Sequence, residues 1–299
     1  MKQVFVFALT LLSFVATLAA TPMVIEEFYT DKDFTYFVHE DKAIIFTYTG
    51  ENSTIEIPTM LDDYEVVNIV TLVNARIKSI TVAEDHPYLA SKDGILYNKE
   101  LTELKVCPPG FSGHYTVPKS VTTISGGAFA GCSGLTSVII PSSVTNIGPF
   151  AFLGCSGLTS VILSNSITEI HDFTFADCTA LNAIIIPSSV KRIGLYAFAG
   201  CKNLSAVIIP SSVKSIDGGA FSDCSALKDV IIANPKISIA DDAFFGCAEN
   251  LTLHNYKRED VAKAPQGPSV THDTVLTPEE EPIYLPRLVL DSERVVREF

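Results

Sequence analysis

The chain is short of positive charge. Its 299 residues hold 21 lysines and arginines against 34 acids, a formal net charge of −13 with a pI near 4.8. A surface of that sign repels a phosphate backbone and anionic headgroups, which argues against nucleic acid and against electrostatic docking on a membrane. Catalytic signatures are missing too. His39, His86, His114, His171, His254 and His272 never fall into an H-E-x-x-H or similar pairing. No G-x-S-x-G elbow and no phosphate-cradling glycine loop occurs. The cysteines have no interleaved histidines at short spacing, a poor pattern for zinc. The expectation is no enzyme, no metal and no cofactor.

Long apolar runs are equally scarce, with one exception at the amino terminus. MKQVFVFALTLLSFVATLAA places Lys2 before a compact apolar run, Val4–Leu12, and a small-residue exit at Thr17–Ala20. That order is a secretory signal peptide over residues 1–20, and the run is shorter than the roughly 20 residues that span a bilayer. Its removal leaves 20 basic against 34 acidic side chains, a net −14. No cysteine near the cut marks a lipid anchor, and no second run of spanning length follows. The mature protein is expected outside the cell or at its surface, with no membrane insertion after cleavage.

What is abundant is repetition. Cys132, Cys155, Cys178, Cys201, Cys224 and Cys247 stand 23 residues apart. Three residues before each is a phenylalanine, Phe129 through Phe244, and three after stands Leu135, Leu158, Leu181, Leu204 or Leu227. Only the last unit slips, to Leu251. A fixed period of this size is the signature of a solenoid, because one unit cannot bury its apolar face without a neighbour.

Spacing within the unit assigns its parts. Leu135, Val138 and Ile140 alternate as a short β-strand, which Pro141, like Pro187 and Pro210 later, ends by lacking an N–H. Val144 and Ile147 then turn inward. The G-x-x-A-F-x-x-C run, as in Gly194–Cys201, reads as a tight helical turn placing Phe and Cys beneath the next strand. The Gly126–Gly127 and Gly218–Gly219 pairs fall at this turn, where glycine supplies unusual backbone angles.

The unit L-x-x-V-x-I-P-x-x-V-x-x-I-G-x-x-A-F-x-x-C resembles the BspA-like leucine-rich repeats of surface and secreted proteins of bacteria and protists. The resemblance runs from Ile77 to His254 and implies a leucine-rich-repeat solenoid with a parallel ladder of short strands and an irregular, β-rich amino-terminal cap. Residues 56–70, EIPTMLDDYEVVNIV, are similar to the family's amino-terminal unit, and residues 86–110 to the hairpin insertion that opens such arrays. The expected organisation is therefore a signal peptide at 1–20, a cap at 21–75, the solenoid at 76–254 and a tail at 255–299. That tail holds five prolines, nine acids and six basic residues, and it carries no family anchoring module; LPRLV is not a sortase signal. It reads as flexible, or IYLPRLVLD (283–291) docks along the solenoid edge or a partner.

Seven cysteines in a secreted chain usually suggest disulfides. Here equivalent side chains point in parallel into the core and do not face one another, so the six periodic cysteines read as a buried thiol ladder. Cys107, outside the register, is the one expected to differ. Asn52, Asn203 and Asn250 head N-x-S/T triplets and are candidate N-glycosylation acceptors if the source has the machinery.

The informative row lies on the strands' outer face. With Val138 and Ile140 inward, Ile139 points out, as do Ile162, Ile185, Ile208 and Ile231, with Thr116 before them and Thr252 after. Beside it run Ser137, Ser160, Ala183, Ala206 and Asp229, all short. Most soluble sheets place polar residues on such a face, so an apolar stripe there means contact or strand-forming filler. The family's best-known role, adhesion to host proteins and cells, implies a protein-binding face of a secreted or surface-associated module. The alternative is a structural coat component that self-associates through the same isoleucines.

Overall fold

A computed structural model describes residues 27–255 except 71 and 73, and two strands beyond, Thr271–Val275 and Ile283–Arg287. The signal peptide expected over 1–20 lies outside the described residues, as does most of the tail. The described part is β-strand and turn throughout.

A five-stranded sheet opens it. Tyr29–Asp31, Phe34–His39 and Lys42–Tyr48 run antiparallel, and Lys42–Tyr48 then pairs parallel with Tyr64–Ile69, which pairs antiparallel with Met60–Leu61. The second hairpin closes through Glu40 and Asp41, both at positive φ (50° and 57°), the mirror-image turn that matches strand twist. Thr54–Ile57 pairs parallel with Ser79–Val82. Tyr36, Ile45, Ile55, Val66 and Ile80 are buried in a core separate from that of the repeats. Residues 86–110 contain an antiparallel meander of Leu89–Lys92, Ile95–Asn98 and Glu103–Val106, its first turn again carrying two positive φ angles at Asp93 and Gly94. Its last strand pairs parallel with Thr123–Ile124 and so starts the repeat array.

Each turn of the solenoid presents three sides. The strand side carries the L-x-x-V-x-I segments. Ser112–Thr116, Gly134–Ile139 and Ser160–Ile162 form one parallel sheet; Ala206–Ile209, Asp229–Ile232 and Thr252–Asn255 form another. The ladder breaks at 181–186. The two sheets flank this segment, which carries the same inward residues Leu181, Ile184 and Ile186 without bridging to either neighbour. The second side is a ladder of two-residue bridges, Thr123–Ile124 to Asn146–Ile147, then Glu169–Ile170 through Ser238–Ile239.

The third side corrects the sequence reading. The Gly194–Cys201 type of run is not a helical turn; no helix occurs among the described residues. Its N–H groups alternate instead. Ala128, Ala130 and Cys132 bond three residues back, to Ser125, Gly127 and Phe129, while Gly127, Phe129 and Gly131 bond across to Pro149, Ala151 and Leu153 of the next unit. Two positions per turn hold this ribbon in left-handed geometry. Gly127, Phe150, Phe173, Tyr196 and Gly219 share one, and Gly131, Gly154, Asp177, Gly200, Asp223 and Gly246 share the other, all at φ between 52° and 74°. A right-handed helix cannot pass through residues fixed there.

The core is a set of rows. Leu135, Leu158, Leu181, Leu204 and Leu227 are fully buried, as are Phe129, Phe152, Phe175, Phe198 and Phe221. Those rings and Phe244 form one continuous stack, with centroids 4.9–5.4 Å apart and planes within 9°. Each unit thus completes the apolar surroundings of the last, which is why the array folds only as a whole.

Candidate interaction face

Along the strand side, Val138, Val161, Ile184, Val207 and Val230 are buried, and so are Ile140, Leu163, Ile186, Ile209 and Ile232. The residue between each pair faces out. Ile139, Ile162 and Ile231 are half-buried, while Ile185 and Ile208 are 52% and 42% exposed. Ile139 stands opposite Ile162, and Ile208 opposite Ile231, so the side chains line up across strands. Ala183 and Ala206 flank the two most exposed isoleucines and leave their sides open.

A threonine and an imidazole end the stripe. Thr116 precedes Ile139, as the spacing predicts. Thr252 does not follow Ile231: it pairs with Asp229, and His254 continues the isoleucine row. The strand keeps the 23-residue register through this last step even though its leucine slips to Leu251. His254 Nε2 lies 3.1 Å from Asp229 Oδ1. At the other end His114 heads the short-residue row, with Nδ1 2.8 Å from Ser137 Oγ and Nε2 3.0 Å from Thr116 Oγ1. The face is therefore apolar along its middle and polar at both rims.

The cysteines serve the interior. All seven are free thiols. Cys155 donates through Sγ to Phe129 O at 3.0 Å, and Cys178, Cys201, Cys224 and Cys247 repeat the bond to Phe152, Phe175, Phe198 and Phe221 at 3.1–3.2 Å. Each thiol fills core space and satisfies a carbonyl of the previous turn. Cys132 reaches the carbonyls of Cys107 and Pro108 instead, at 3.7 and 3.5 Å. Cys107 is thus not the exception expected of it. It is buried at the foot of the ladder, and burial pushes its thiol well above the ordinary range, as it does for Cys155 and Cys201. The departure is Cys247, half-buried in the last turn, whose hydrogen bond with Cys224 lowers its pKa.

Other candidates sit apart from this face. Asn52, Asn203 and Asn250 are exposed in loops, within reach of modification. His86 is fully buried, its Nδ1 accepting from the N–H groups of Tyr88 and Leu89 and its Nε2 facing Pro58 O, with burial holding its pKa down. Sequence reasoning missed a charged cluster on the bridge side. Arg192 bonds Glu169 and Asp172 of the turn before and Asp217 of the turn after, and His171 stands 3.3 Å from Glu169. The 23-residue offsets of Glu169 and Arg192 were the available signal. A groove of about 400 Å³ also runs between the opening sheet and the first repeats, with Asn68, Glu103, Phe150 and His171 among its walls. Among the described residues no three His, Cys, Asp or Glu are placed to hold a metal ion, and no helix is long and apolar enough to cross a membrane.

Residues 113–228 match, in six copies, the model described as BspA type leucine rich repeat region. Solved structures share the fold. A leucine-rich repeat protein from Eubacterium ventriosum aligns at 24% identity and TM-score 0.52, over 69% of this chain and 60% of that one. The pneumococcal vaccine antigen PcpA aligns at 22% and 0.59, over 74% and 56%. A leucine rich cell surface protein from Faecalibacterium prausnitzii aligns at 20% and 0.50, over 70% and 96%. The matched length is thus 60% of the Eubacterium protein and nearly all of the Faecalibacterium one. No curated protein matches by sequence.

Proposed function

From an array whose residues 113–228 are BspA-type leucine-rich repeats, we propose that the chain is a secreted or surface-associated protein-interaction module. Its partner is a protein, held on the strand side at Ile139, Ile162, Ile185, Ile208 and Ile231, and the module serves as an adhesin toward host or neighbouring cells. The observation that carries this is the exposure of Ile185 and Ile208, two apolar side chains whose neighbours two residues back are alanine. Water gains nothing from such a row, and a partner that covers it gains about 25 cal/mol for each Å² removed from solvent. The imidazoles of His114 and His254 and the carboxylate of Asp229 at the ends supply a polar rim, the usual surround of an apolar contact. Export rests on the Lys2–Ala20 segment. The Faecalibacterium relative, a leucine rich cell surface protein, is consistent with that location.

The test is binding of the purified mature chain to immobilised extracellular-matrix and cell-surface proteins, alongside the double variant Ile185→Thr, Ile208→Thr. Capture by the parent chain that the variant loses supports the reading. Equal capture by both moves the site elsewhere. A mass that rises with concentration in the parent alone, with no foreign partner bound, favours the self-associating coat component.

A further inference from the structure

The last turn of the array leaves core positions uncovered. Leu253 stands opposite Val230 in the ladder; Val230 is 0% exposed and Leu253 46%. Phe244 closes the ring stack beyond Phe221, yet it is only half-buried where Phe221 is fully so. Cys247 and Ile239 show the same step relative to Cys224 and Ile216. Phe245 replaces the Ser222 and Ala199 of earlier turns and is 73% exposed. Thr252–Asn255 pairs with Asp229–Ile232 on one edge and, among the described residues, ends its sheet on the other. An unpaired strand edge beside exposed core side chains is a template for another strand, and solenoids require such ends to be closed.

We propose that residues 271–290 of the same chain cover this end, with the strand pair Thr271–Val275 and Ile283–Arg287 added to the free edge of Thr252–Asn255. The chain leaves the array at the spot to be covered. Residues 256–270 intervene, more than the dozen that a parallel crossover needs. The two later strands already pair antiparallel with each other, so they arrive as a ribbon with edges of its own. The sequence over 283–290 holds Ile283, Tyr284, Leu285, Leu288, Val289 and Leu290, an apolar composition suited to such a cover. Pro286 withholds an N–H from any further ladder, the residue type that ends sheets. A second copy of the chain would bury the same surface, but the tether gives this segment an effective concentration in the millimolar range that a free copy must match.

Cys247 is a natural reporter, since it lies on the open end. Iodoacetamide labelling of the full chain, mapped by mass spectrometry, reads its access, and amide hydrogen exchange reads the Thr252–Asn255 edge. In the parent chain Cys247 should label slowly and the edge amides should be protected. In the full-length variant Ile283→Asp, Leu285→Asp, Leu288→Asp, labelling should quicken at least about tenfold, a loss of about 1.4 kcal/mol of cover. Protection should vanish at residues 252–255 while the Phe129–Cys201 interior keeps its own. Rapid labelling of Cys247 and unprotected edge amides in the parent overturn the proposal without any variant. Equal rates in parent and variant overturn it as well. Protection that grows with protein concentration, together with a doubled mass, assigns the end to a second copy instead.

Discussion

Cys178 Sγ lies 3.2 Å from the carbonyl oxygen of Phe152, twenty-six residues earlier. The same oxygen accepts the N–H of Cys155 at 3.1 Å, so one carbonyl ties a turn to itself and to the next. This relationship accounts for cysteine at a site where alanine would also fit. The thiol is small and apolar enough for the core and still donates a weak hydrogen bond.

Cys178→Ala should therefore lower stability by about 1–2 kcal/mol, from lost sulfur packing and the lost donor together. Cys247→Ala, in the half-covered last turn, should cost less than half as much. Urea denaturation of both variants checks the difference. Both variants lose the bond to the previous turn, so equal losses would mean that the fuller burial of Cys178 adds nothing to it.

The same burial makes the array alkali-sensitive. Cys107, Cys155 and Cys201 have thiols pushed above the ordinary range by burial; at Cys224 the hydrogen bond with Cys247 and then burial do the same. A folded pKa above the unfolded value means that the unfolded chain releases protons first as pH rises. Their contribution to stability is thus complete below the unfolded pKa, near 8.5, and lost above it. Each thiol should remove about 1.4 kcal/mol per pH unit in that window. Denaturation midpoints from pH 7 to 10 test this: a steep fall above about 8.5 is expected, and alanine at Cys155 and Cys201 should flatten it.

The left-handed positions give a backbone prediction. A Cβ on Gly131 would meet nothing within 4 Å, so sterics with neighbours permit alanine there. Its φ of 74° does not. Gly131→Ala should cost about 1–2 kcal/mol, while Gly131→Asn, which tolerates that region, should cost less. Equal melting temperatures for the alanine variant and the parent would contradict the ribbon geometry.

Those positions also show where the sequence was legible. The period, the inward rows and the outward isoleucines follow from Leu, Val, Phe and Cys recurring in step, because burial constrains side-chain type directly. The turn ribbon was not legible as such. Gly194, Ala197, Phe198 and Cys201 have the i, i+3, i+4, i+7 spacing of a helix face, and the left-handed sites that forbid a helix are filled in some turns by Phe150, Phe173, Tyr196 and Asp177. Glycine at Gly127, Gly131, Gly154 and Gly219 was the signal, and it shows only when all turns are aligned. Thr252 was put in the isoleucine row where His254 belongs: the 23-residue period runs unbroken from Ile231 to His254, and only the leucine at the strand entry moves, to Leu251. Arg192 lies one turn from each of its acids, Glu169 and Asp172 before it and Asp217 after, a contact that only the stacked geometry brings together.

The strand face separates surface from core most sharply. Ile185→Thr and Ile208→Thr keep a β-branched side chain while removing apolar area, and both parent side chains are exposed. Each should change stability by under about 0.5 kcal/mol. Val207→Thr is the contrast. Its side chain is buried between the rows of Leu204 and Ile209, and a hydroxyl there should cost about 1–3 kcal/mol. If the isoleucines anchor a partner, each threonine should weaken capture by about 1–2 kcal/mol, a factor of roughly 5–30 in affinity, at unchanged melting temperature. Val207→Thr should melt early and, where still folded, bind as the parent does. Melting curves and binding titrations on the three variants tell the cases apart. Isoleucine variants that fold and bind like the parent would reduce the stripe to strand-forming filler and move the interaction to another side of the solenoid.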